Sequence, residues 1–415
     1  MSIVEIRVAG RYRVDSLLGT GLFAEVFEGQ NVHSGEKVAI KLENKKTRYP
    51  QLGYEGRILK ILQGGLGVPL AYWCGNDGDY ICLVMELMGE DLEKLLNTCN
   101  GRFSLKTTLM LADQLLTIFE YIHSKEILHR DIKPGNITMG GSSNFFQAHL
   151  IDFGLAKPYI ETESGEHIKF KTGKSPLGDP VYSSLNNLMG NEISRRDDLE
   201  AMMYVLLKFL IGELPWDDNQ EDMKNLPKSE FLNQIKNQKT VFKDSSFWEE
   251  ARCFYTSVES NYLYKIPNEL KIIYERIINL KFDEKPNYLE YRKLIKEIMV
   301  REGLEFDFVY DWVLIPVENQ IIESGKEIDQ LLMGETPFTK EEEEKLNDLM
   351  QRYEEDPTFI DFKLEDIRKQ NQKLDIISAE DSYKKLENQQ GKSDKDKKKK
   401  KEKKKGKKGD DCNLI

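Results

Sequence analysis

Two short polar motifs constrain this chain more than any other feature of its sequence. HRDIKPGN occupies residues 129–136, and DFG begins sixteen residues after the last asparagine of that motif, at residues 152–154. Phosphoryl transfer requires a carboxylate that accepts the proton of the acceptor hydroxyl, a lysine near the transferred group and two oxygen ligands for Mg²⁺. The two motifs supply these residue types in order: Asp131, Lys133, Asn136 and Asp152. Each residue alone could be an ordinary turn residue, but the combination predicts a phosphoryl-transfer site.

A glycine-containing turn upstream of these motifs is a candidate phosphate-binding loop. Its sequence, LGTGLFAEV, lies between two strand patterns and consists of Leu18, Gly19, Thr20, Gly21, Leu22, Phe23, Ala24, Glu25 and Val26. Glycine lets backbone N–H groups approach phosphate oxygens closely because no Cβ stands in the way. Taken alone, an ordinary hairpin turn is the commoner explanation.

A lysine and a glutamate that follow this turn favour a phosphate-binding loop over an ordinary hairpin turn. Lys41 ends the strand-like VAIK, and Glu55 lies in the helix-like YEGRILKIL. A strand lysine is by default solvated, but one held by a carboxylate can contact the α- and β-phosphates of ATP. The turn, Lys41 and Glu55 together therefore predict an ATP site.

The period of the apolar residues changes along the chain. Roughly the first eighty residues contain the strand patterns YRVDSLL, AEVFEGQNV and KVAIKLEN, separated by turn residues. From Ser104, a predicted N-cap, apolar residues recur every three or four positions and predict a long helix with a buried face. Helical patterns continue to about residue 312. We therefore expect an α+β fold with a small β-rich lobe followed by a larger helical lobe.

About three-quarters of the chain, from Tyr12 to Trp312, resembles the casein kinase 1 family of serine/threonine protein kinases. The resemblance rests on QGGLGVP at Gln63, WCGNDGDY at Trp73, LVMEL at Leu83, FSLKTTLMLADQ at Phe103, YIHSK at Tyr121, SRRDDLE at Ser194, ELPW at Glu213, FDEKPNY at Phe282 and FDFVYDW at Phe306. It implies a bilobal protein kinase fold, ATP and Mg²⁺ as cofactors, and serine or threonine hydroxyls of proteins as acceptors. Lys133, two residues after Asp131, is typical of serine/threonine kinases.

The resemblance also implies which residues surround the adenine ring. Met85 would be the gatekeeper, and backbone groups of Glu86 and Leu87 would make the hinge hydrogen bonds. Ala39 and Val26 would lie on either side of the ring.

Further roles near the reaction centre follow from the same resemblance. Asn136 and Asp152 would hold Mg²⁺, while Asp131 would orient or deprotonate the acceptor hydroxyl. Asp198 would hold the backbone of the catalytic loop, although an acidic residue favoured by the dipole at a helix start would look the same in the sequence.

Two departures from the family pattern bear on activity. Ala24 replaces the third glycine of the phosphate loop, and LGDPVY places Asp179 where the family has a threonine that hydrogen-bonds the catalytic loop. A second carboxylate near Asp131 would raise one of the two pKa values by like-charge repulsion, unless Lys133 bridges them. The alternative hypothesis is therefore a catalytically weak or inactive pseudokinase scaffold.

A third departure concerns recognition of acidic or phosphorylated substrates, which the family achieves with basic residues. Arg195 and Arg196 match part of that anion site, and Lys224 is a further candidate. The segment DDNQEDMKNLPK, however, is acidic where the family has a basic run. A preference for phosphate-primed substrates therefore stays open.

The end of the sequence has a charge opposite to that of the rest. The net charge is -11, yet residues 392–408 contain twelve lysines and three acids, so this segment carries +9 and the rest -20. We divide the chain into an N-terminal extension (1–11), a kinase domain (12–312, with lobes of about 12–87 and 88–312), a segment with predicted helices (313–381) and a disordered polylysine segment (382–415).

The final residues suggest a lipid anchor. Cys412-Asn-Leu-Ile fits the CaaX prenylation pattern, and a polybasic segment supplies the second signal that stable anchoring requires. The alternative is a solvated lysine tail that acts in nuclear import or binds nucleic acid. Because no recognition fold for nucleic acid accompanies it, we expect no nucleic-acid partner.

Two further observations favour the cytoplasm as the compartment. No apolar run reaches the roughly 18 residues that a transmembrane helix needs, and MSIVEIRVAG lacks the pattern of a secretory signal. We expect a peripheral protein on an anionic cytoplasmic membrane face.

Overall fold

The computed structural model describes residues 6–21, 24–141, 144–217, 226–243, 246–253, 255 and 263–314. None of the helices in these ranges combines the length and apolar character needed to cross a bilayer. Apart from residues 313 and 314, the segment with predicted helices (313–381) lies outside them, as do the polylysine segment and Cys412.

The N-terminal part is a six-stranded antiparallel sheet of order β1-β2-β3-β4-β6-β5. Its strands are β1 (Arg7–Val8), β2 (Tyr12–Thr20), β3 (Glu25–Asn31), β4 (Lys37–Asn44), β5 (Ala71–Asp77) and β6 (Tyr80–Glu86). Strand β1 pairs with β2, and Val8 is buried in the core of the sheet. The sheet therefore begins at Arg7, within the segment that we described as an N-terminal extension.

Helix α1 (Leu52–Ile61) packs against β5 and β6 of this sheet. At Gly56 the helix lies close to β5, where a Cβ would be 2.4 Å from Cys74 Sγ and 2.9 Å from Cys74 Cβ. Only glycine fits such a contact, so this residue fixes how near the helix lies to the sheet. Glu55, its neighbour, is held over β4 as a result.

The rest of the described chain is mainly helical. The helices are α2 (Leu92–Thr98), α3 (Leu105–Ser124), α4 (Leu185–Leu188), α5 (Arg195–Ile211), α6 (Lys228–Lys243), α7 (Phe247–Glu250), α8 (Asn268–Ile278) and α9 (Tyr288–Arg301). Ser104 caps α3 by accepting a hydrogen bond from Thr107 N–H, which confirms the predicted start. Strands first and helices afterwards is the bilobal α+β arrangement expected from the sequence.

Helix α3 is the central packing element of the helical lobe. It contacts α5 and α9, and most of its residues are buried. Arg292 of α9 donates from Nε to Asp113 Oδ1 of α3 at 3.0 Å. This buried ion pair joins two helices that are distant in sequence.

Three two-stranded antiparallel sheets contain the remaining strands of the described residues. Strand β7 (Ile127–Leu128) pairs with β10 (Lys157–Pro158), β8 (Ile137–Met139) with β9 (Ala148–Leu150), and β11 (Arg252–Cys253) with β12 (Tyr264–Lys265). HRDIKPGN lies between β7 and β8, and DFG lies between β9 and β10. Two loops that are separated in sequence are thereby brought to one place.

Candidate active site

Lys41, Glu55 and Asp152 form a chain of opposite charges in the cleft beside the sheet. Lys41 Nζ lies 2.7 Å from Glu55 Oε1 and 3.6 Å from Asp152 Oδ1. Burial alone would lower the pKa of Lys41, but the two carboxylates outweigh it and hold the pKa above its usual value. The lysine is therefore a fixed positive charge at this point.

The catalytic loop is organised around the Asp131 carboxylate. Asn136 donates from Nδ2 to the Asp131 carbonyl oxygen at 2.8 Å and to Oδ2 at 2.9 Å. Lys133 Nζ lies 3.1 Å from the same Oδ2. These contacts orient the carboxylate and direct the remaining amide oxygen of Asn136 away from it.

Backbone contacts join this loop to the DFG motif. Ile151 N–H donates to the Asn136 carbonyl oxygen at 3.0 Å, and His129 Nε2 lies 3.0 Å from the Ile151 carbonyl oxygen. Asp152 follows directly, with a left-handed backbone (φ 64°). Burial raises the pKa of Asp152, but Lys41, His129 and Lys133 together lower it below its usual value. Asn136 and Asp152 are thus two hard oxygen donors on adjoining loops.

Asp198 lies beneath the catalytic loop in the first turn of α5. It accepts hydrogen bonds from His129 N–H at 2.8 Å and from Arg130 N–H at 2.9 Å, and His123 Nε2 is 3.1 Å away. Arg130 has φ 73°, a conformation that costs a non-glycine residue free energy. Asp198 stabilises this strained backbone, in the position that the family resemblance implied.

Asp179 contacts Asp131 through its backbone and not through its carboxylate. Its N–H donates to Asp131 Oδ1 at 3.0 Å, while its own Oδ1 accepts from Val181 N–H at 2.9 Å. The pKa of Asp179 is raised, mainly by burial, with a smaller contribution from Asp131 that Lys133 opposes. The expected repulsion is therefore present but is not the main effect.

The described residues of the predicted nucleotide site lie on β2, β3, β4 and β6 or directly beside these strands. The phosphate-loop turn is closed by Gly21 N–H, which donates to the Ala24 carbonyl oxygen at 2.8 Å, whereas Leu22 and Phe23 lie outside the described residues. Ala39 pairs with Met85 between β4 and β6.

One backbone group of the predicted hinge already has a partner within the fold. Glu86 N–H donates to the Leu70 carbonyl oxygen at 2.8 Å, so it is occupied within the fold. The carbonyl oxygen of Glu86 and the backbone groups of Leu87 would therefore make the hydrogen bonds to an adenine ring.

A protein-family model described as Protein kinase domain matches residues 12–293, more than half of the chain. The chain belongs to the protein kinase family. Protein kinase domains use ATP and a divalent metal ion to phosphorylate protein substrates, and the charge chain and catalytic loop described above have the layout that this reaction requires.

The kinase domain has a further buried carboxylate that sequence reasoning missed. Glu43 lies two residues after Lys41 on β4 and is 1% exposed. Its Oε1 accepts from Gln51 N–H at 3.0 Å, and its Oε2 accepts from Leu52 N–H at 3.0 Å. Gln51 makes no side-chain cap, so Glu43 caps α1 from a strand. The two-residue spacing from Lys41, which puts both side chains on one face of a strand, was the available signal.

The structure gives the two predicted anion-binding arginines other partners. Arg195 donates from Nη2 to the Asp283 carbonyl oxygen at 2.5 Å and lies 4.7 Å from the centre of the Tyr159 ring. Arg196 donates from Nη1 to the Leu280 carbonyl oxygen at 2.6 Å. Lys224 lies outside the described residues. These contacts fix the start of α5 against the loop before α9, and the anion site stays a prediction.

Proposed function

We propose that this chain is a serine/threonine protein kinase similar to casein kinase 1. It would transfer the γ-phosphoryl group of ATP to serine or threonine hydroxyls of protein substrates. The observation that carries the proposal is the setting of Asp131, with Lys133 Nζ 3.1 Å from one carboxylate oxygen and Asp179 N–H 3.0 Å from the other. This carboxylate is fixed in orientation and still has lone pairs available to a substrate hydroxyl.

The residues divide the reaction between them as follows. Asp131 accepts a hydrogen bond from the acceptor hydroxyl and takes its proton as the oxygen attacks the γ-phosphorus. Lys133 stabilises negative charge on the transferred group, and Lys41, held by Glu55, binds phosphate oxygens on the nucleotide side. The bond between the β-γ bridging oxygen and the γ-phosphorus breaks, which leaves ADP and a phosphorylated side chain.

Asn136 and Asp152 fit a magnesium ion. Mg²⁺ prefers hard oxygen ligands and usually binds through one or two protein groups together with substrate phosphates. The Nδ2 group of Asn136 is occupied by Asp131, which leaves its amide oxygen as the ligand. Within the described residues no three His, Cys, Asp or Glu side chains are grouped to hold a metal ion. When bound, Mg²⁺ would neutralise phosphate charge.

Transfer of labelled γ-phosphate from MgATP to casein by the full chain tests this proposal. We expect incorporation by the wild type, labelled phosphoserine or phosphothreonine after acid hydrolysis, and almost none by Asp131→Asn. Label on tyrosine would contradict the serine/threonine assignment. Nucleotide binding without transfer by the wild type would favour the pseudokinase scaffold.

Membrane tethering is a separate part of the proposal. It is supported by the twelve lysines of residues 392–408 and by Cys412 in a CaaX-like context. Each lysine near an anionic leaflet contributes about 1 kcal/mol, and a prenyl chain adds a hydrophobic anchor. When both proteins are expressed in eukaryotic cells, the wild type should partition into the detergent phase and Cys412→Ser should stay in the aqueous phase. Equal partition of both proteins would indicate a solvated lysine tail instead.

A further inference from the structure

Lys239 is a buried lysine whose partners are chiefly neutral groups. It lies on α6 and is 1% exposed. Its Nζ lies 4.3 Å from the centre of the Tyr204 ring and 4.9 Å from that of Trp216. Lysine is almost never fully buried without specific partners, so the Nζ group of Lys239 must be held by hydrogen bonds or charges.

The ammonium group binds the segment that follows Asp179. Its Nζ donates to the carbonyl oxygens of Ser183 at 2.5 Å and Pro180 at 3.2 Å. Trp216 donates from Nε1 to the carbonyl oxygen of Val181 at 2.7 Å. Three of the four carbonyl groups of residues 180–183 are therefore held by side chains of the helical lobe.

This segment is directly connected to the reaction centre. Ser183 N–H donates to the Asp179 carbonyl oxygen at 2.9 Å, which closes the segment into a turn. At its other end, Asp179 N–H donates to Asp131 Oδ1. A shift of the turn would therefore change the orientation of the carboxylate that faces the acceptor hydroxyl.

We propose that Lys239 is a positioning residue for phosphoryl transfer, which holds the 179–183 turn so that its backbone orients Asp131. This inference rests on the proposed kinase function. Lys239 acts through the turn and Asp179 on the carboxylate that faces the acceptor hydroxyl, so its contribution concerns the acceptor side of the reaction.

Two buried groups nearby complete the arrangement. Glu200 of α5 accepts a hydrogen bond from Tyr204 Oη at 2.7 Å and another from Leu185 N–H at 2.8 Å. Burial lowers the pKa of Lys239, and the charges of Glu200 and Asp179 oppose this effect only in part. The lysine thus supplies N–H donors that an apolar side chain of the same length would lack.

Steady-state kinetics of the full chain with MgATP and casein can test the role. Lys239→Met keeps the length of the side chain and removes its donors, and Lys243→Met, at the exposed last residue of α6, is the matched control. We expect kcat with casein to fall about tenfold or more in Lys239→Met. The KM for ATP and the number of nucleotide sites per chain should be unchanged, and Lys243→Met should match the wild type.

A fall in kcat with casein at an unchanged KM for ATP distinguishes a positioning role from a general loss of folding stability. Wild-type kcat in Lys239→Met would overturn the proposal, as would a parallel loss of ATP affinity and kcat. If Lys239→Met binds no nucleotide because it fails to fold, Trp216→Phe decides, since it releases the neighbouring carbonyl and should give the same split. Absence of transfer by the wild type would contradict the kinase function itself.

Discussion

The β-rich lobe and the helical lobe each bury a lysine close to the reaction centre, and the two lysines have very different surroundings. Lys41 lies between the carboxylates of Glu55 and Asp152. Lys239 lies between backbone carbonyl groups and the faces of Tyr204 and Trp216. The first is surrounded by full opposite charges, whereas the second relies mainly on dipoles.

The pKa values reflect this difference. Burial lowers the pKa of both lysines, but in Lys41 the two carboxylates more than compensate. In Lys239 the more distant Glu200 and Asp179 do not, and the pKa falls to about 7. A lysine that binds phosphate must stay charged, whereas one that donates to carbonyl groups can keep this function even as a neutral amine.

We expect the largest effect from substitution of Lys41, because this lysine binds the nucleotide and Lys239 does not. Lys41→Met should reduce kcat/KM for ATP by about 10² to 10³-fold, because it removes a preorganised charge at the phosphates. Nucleotide titration and steady-state kinetics would measure it, with thermal unfolding as the control for folding. If Lys41→Met instead lost only kcat with casein, as we expect for Lys239→Met, the two lysines would not differ in function.

The two lysines should also differ in how they affect stability with pH. Between pH 7 and 9 the folded chain gives up the Lys239 proton while the unfolded chain, at a pKa near 10.5, keeps it. Wild-type stability should therefore rise relative to Lys239→Met by about 1.4 kcal/mol per pH unit. For Lys41, whose folded pKa is above 10.5, both states stay protonated in this range, and the difference from Lys41→Met should be flat.

Denaturant unfolding of the three proteins at pH 7, 8 and 9 would measure these differences. A flat curve for Lys239→Met would show that the carbonyl groups and aromatic rings keep the ammonium form. In that case Lys41 and Lys239 would differ in the groups that surround them but not in their charge.

Glu43 offers a test of the β-rich lobe that does not touch the reacting groups. Glu43→Gln replaces the charged acceptor at the start of α1 with a neutral amide, and hydrogen bonds to charged groups are worth about 1.5–3 kcal/mol. We expect about a tenfold fall in kcat/KM for ATP and a lower unfolding temperature, because the helix that carries Glu55 is held less firmly.

The exposed Asp79→Asn on the turn between β5 and β6 serves as the matched acid-to-amide control for this prediction. It should leave both quantities unchanged. Unaltered kinetics in Glu43→Gln would mean that Lys41 and Glu55 alone fix the position of α1.

The smallest effect is expected at Asp179. Asp179→Asn keeps the oxygen that accepts from Val181 N–H and leaves the backbone N–H on Asp131 unchanged. We therefore expect kcat within about threefold of the wild type, measured with casein. A large increase would show that the second carboxylate suppresses Asp131, as the sequence had suggested.

Much of the fold was predictable from local patterns. The long helix from Ser104 was predicted correctly because its cap and its apolar period are both local. The strand β1 was missed because two residues carry too little pattern, and their pairing with β2 depends on the turn between them.

The same distinction applies to the active site. Asp131, Asn136 and Asp152 lie in motifs whose spacing is itself informative. Glu43 and Lys239 carry no motif, and their roles depend on carbonyl or N–H groups that become neighbours only in the folded chain. Arg195 and Arg196 show the opposite case, since a sequence match suggested an anion site while folding gives both arginines carbonyl partners.

The sequence by itself determined the class of this protein, because a phosphoryl-transfer site needs particular side chains at fixed spacings in two loops. Tertiary structure decided how those side chains are held. Hydrogen bonds to backbone groups depend on where the chain passes and not on which residue is there, so the cap by Glu43, the clamp by Lys239 and the backbone contact of Asp179 could be seen only in the folded molecule.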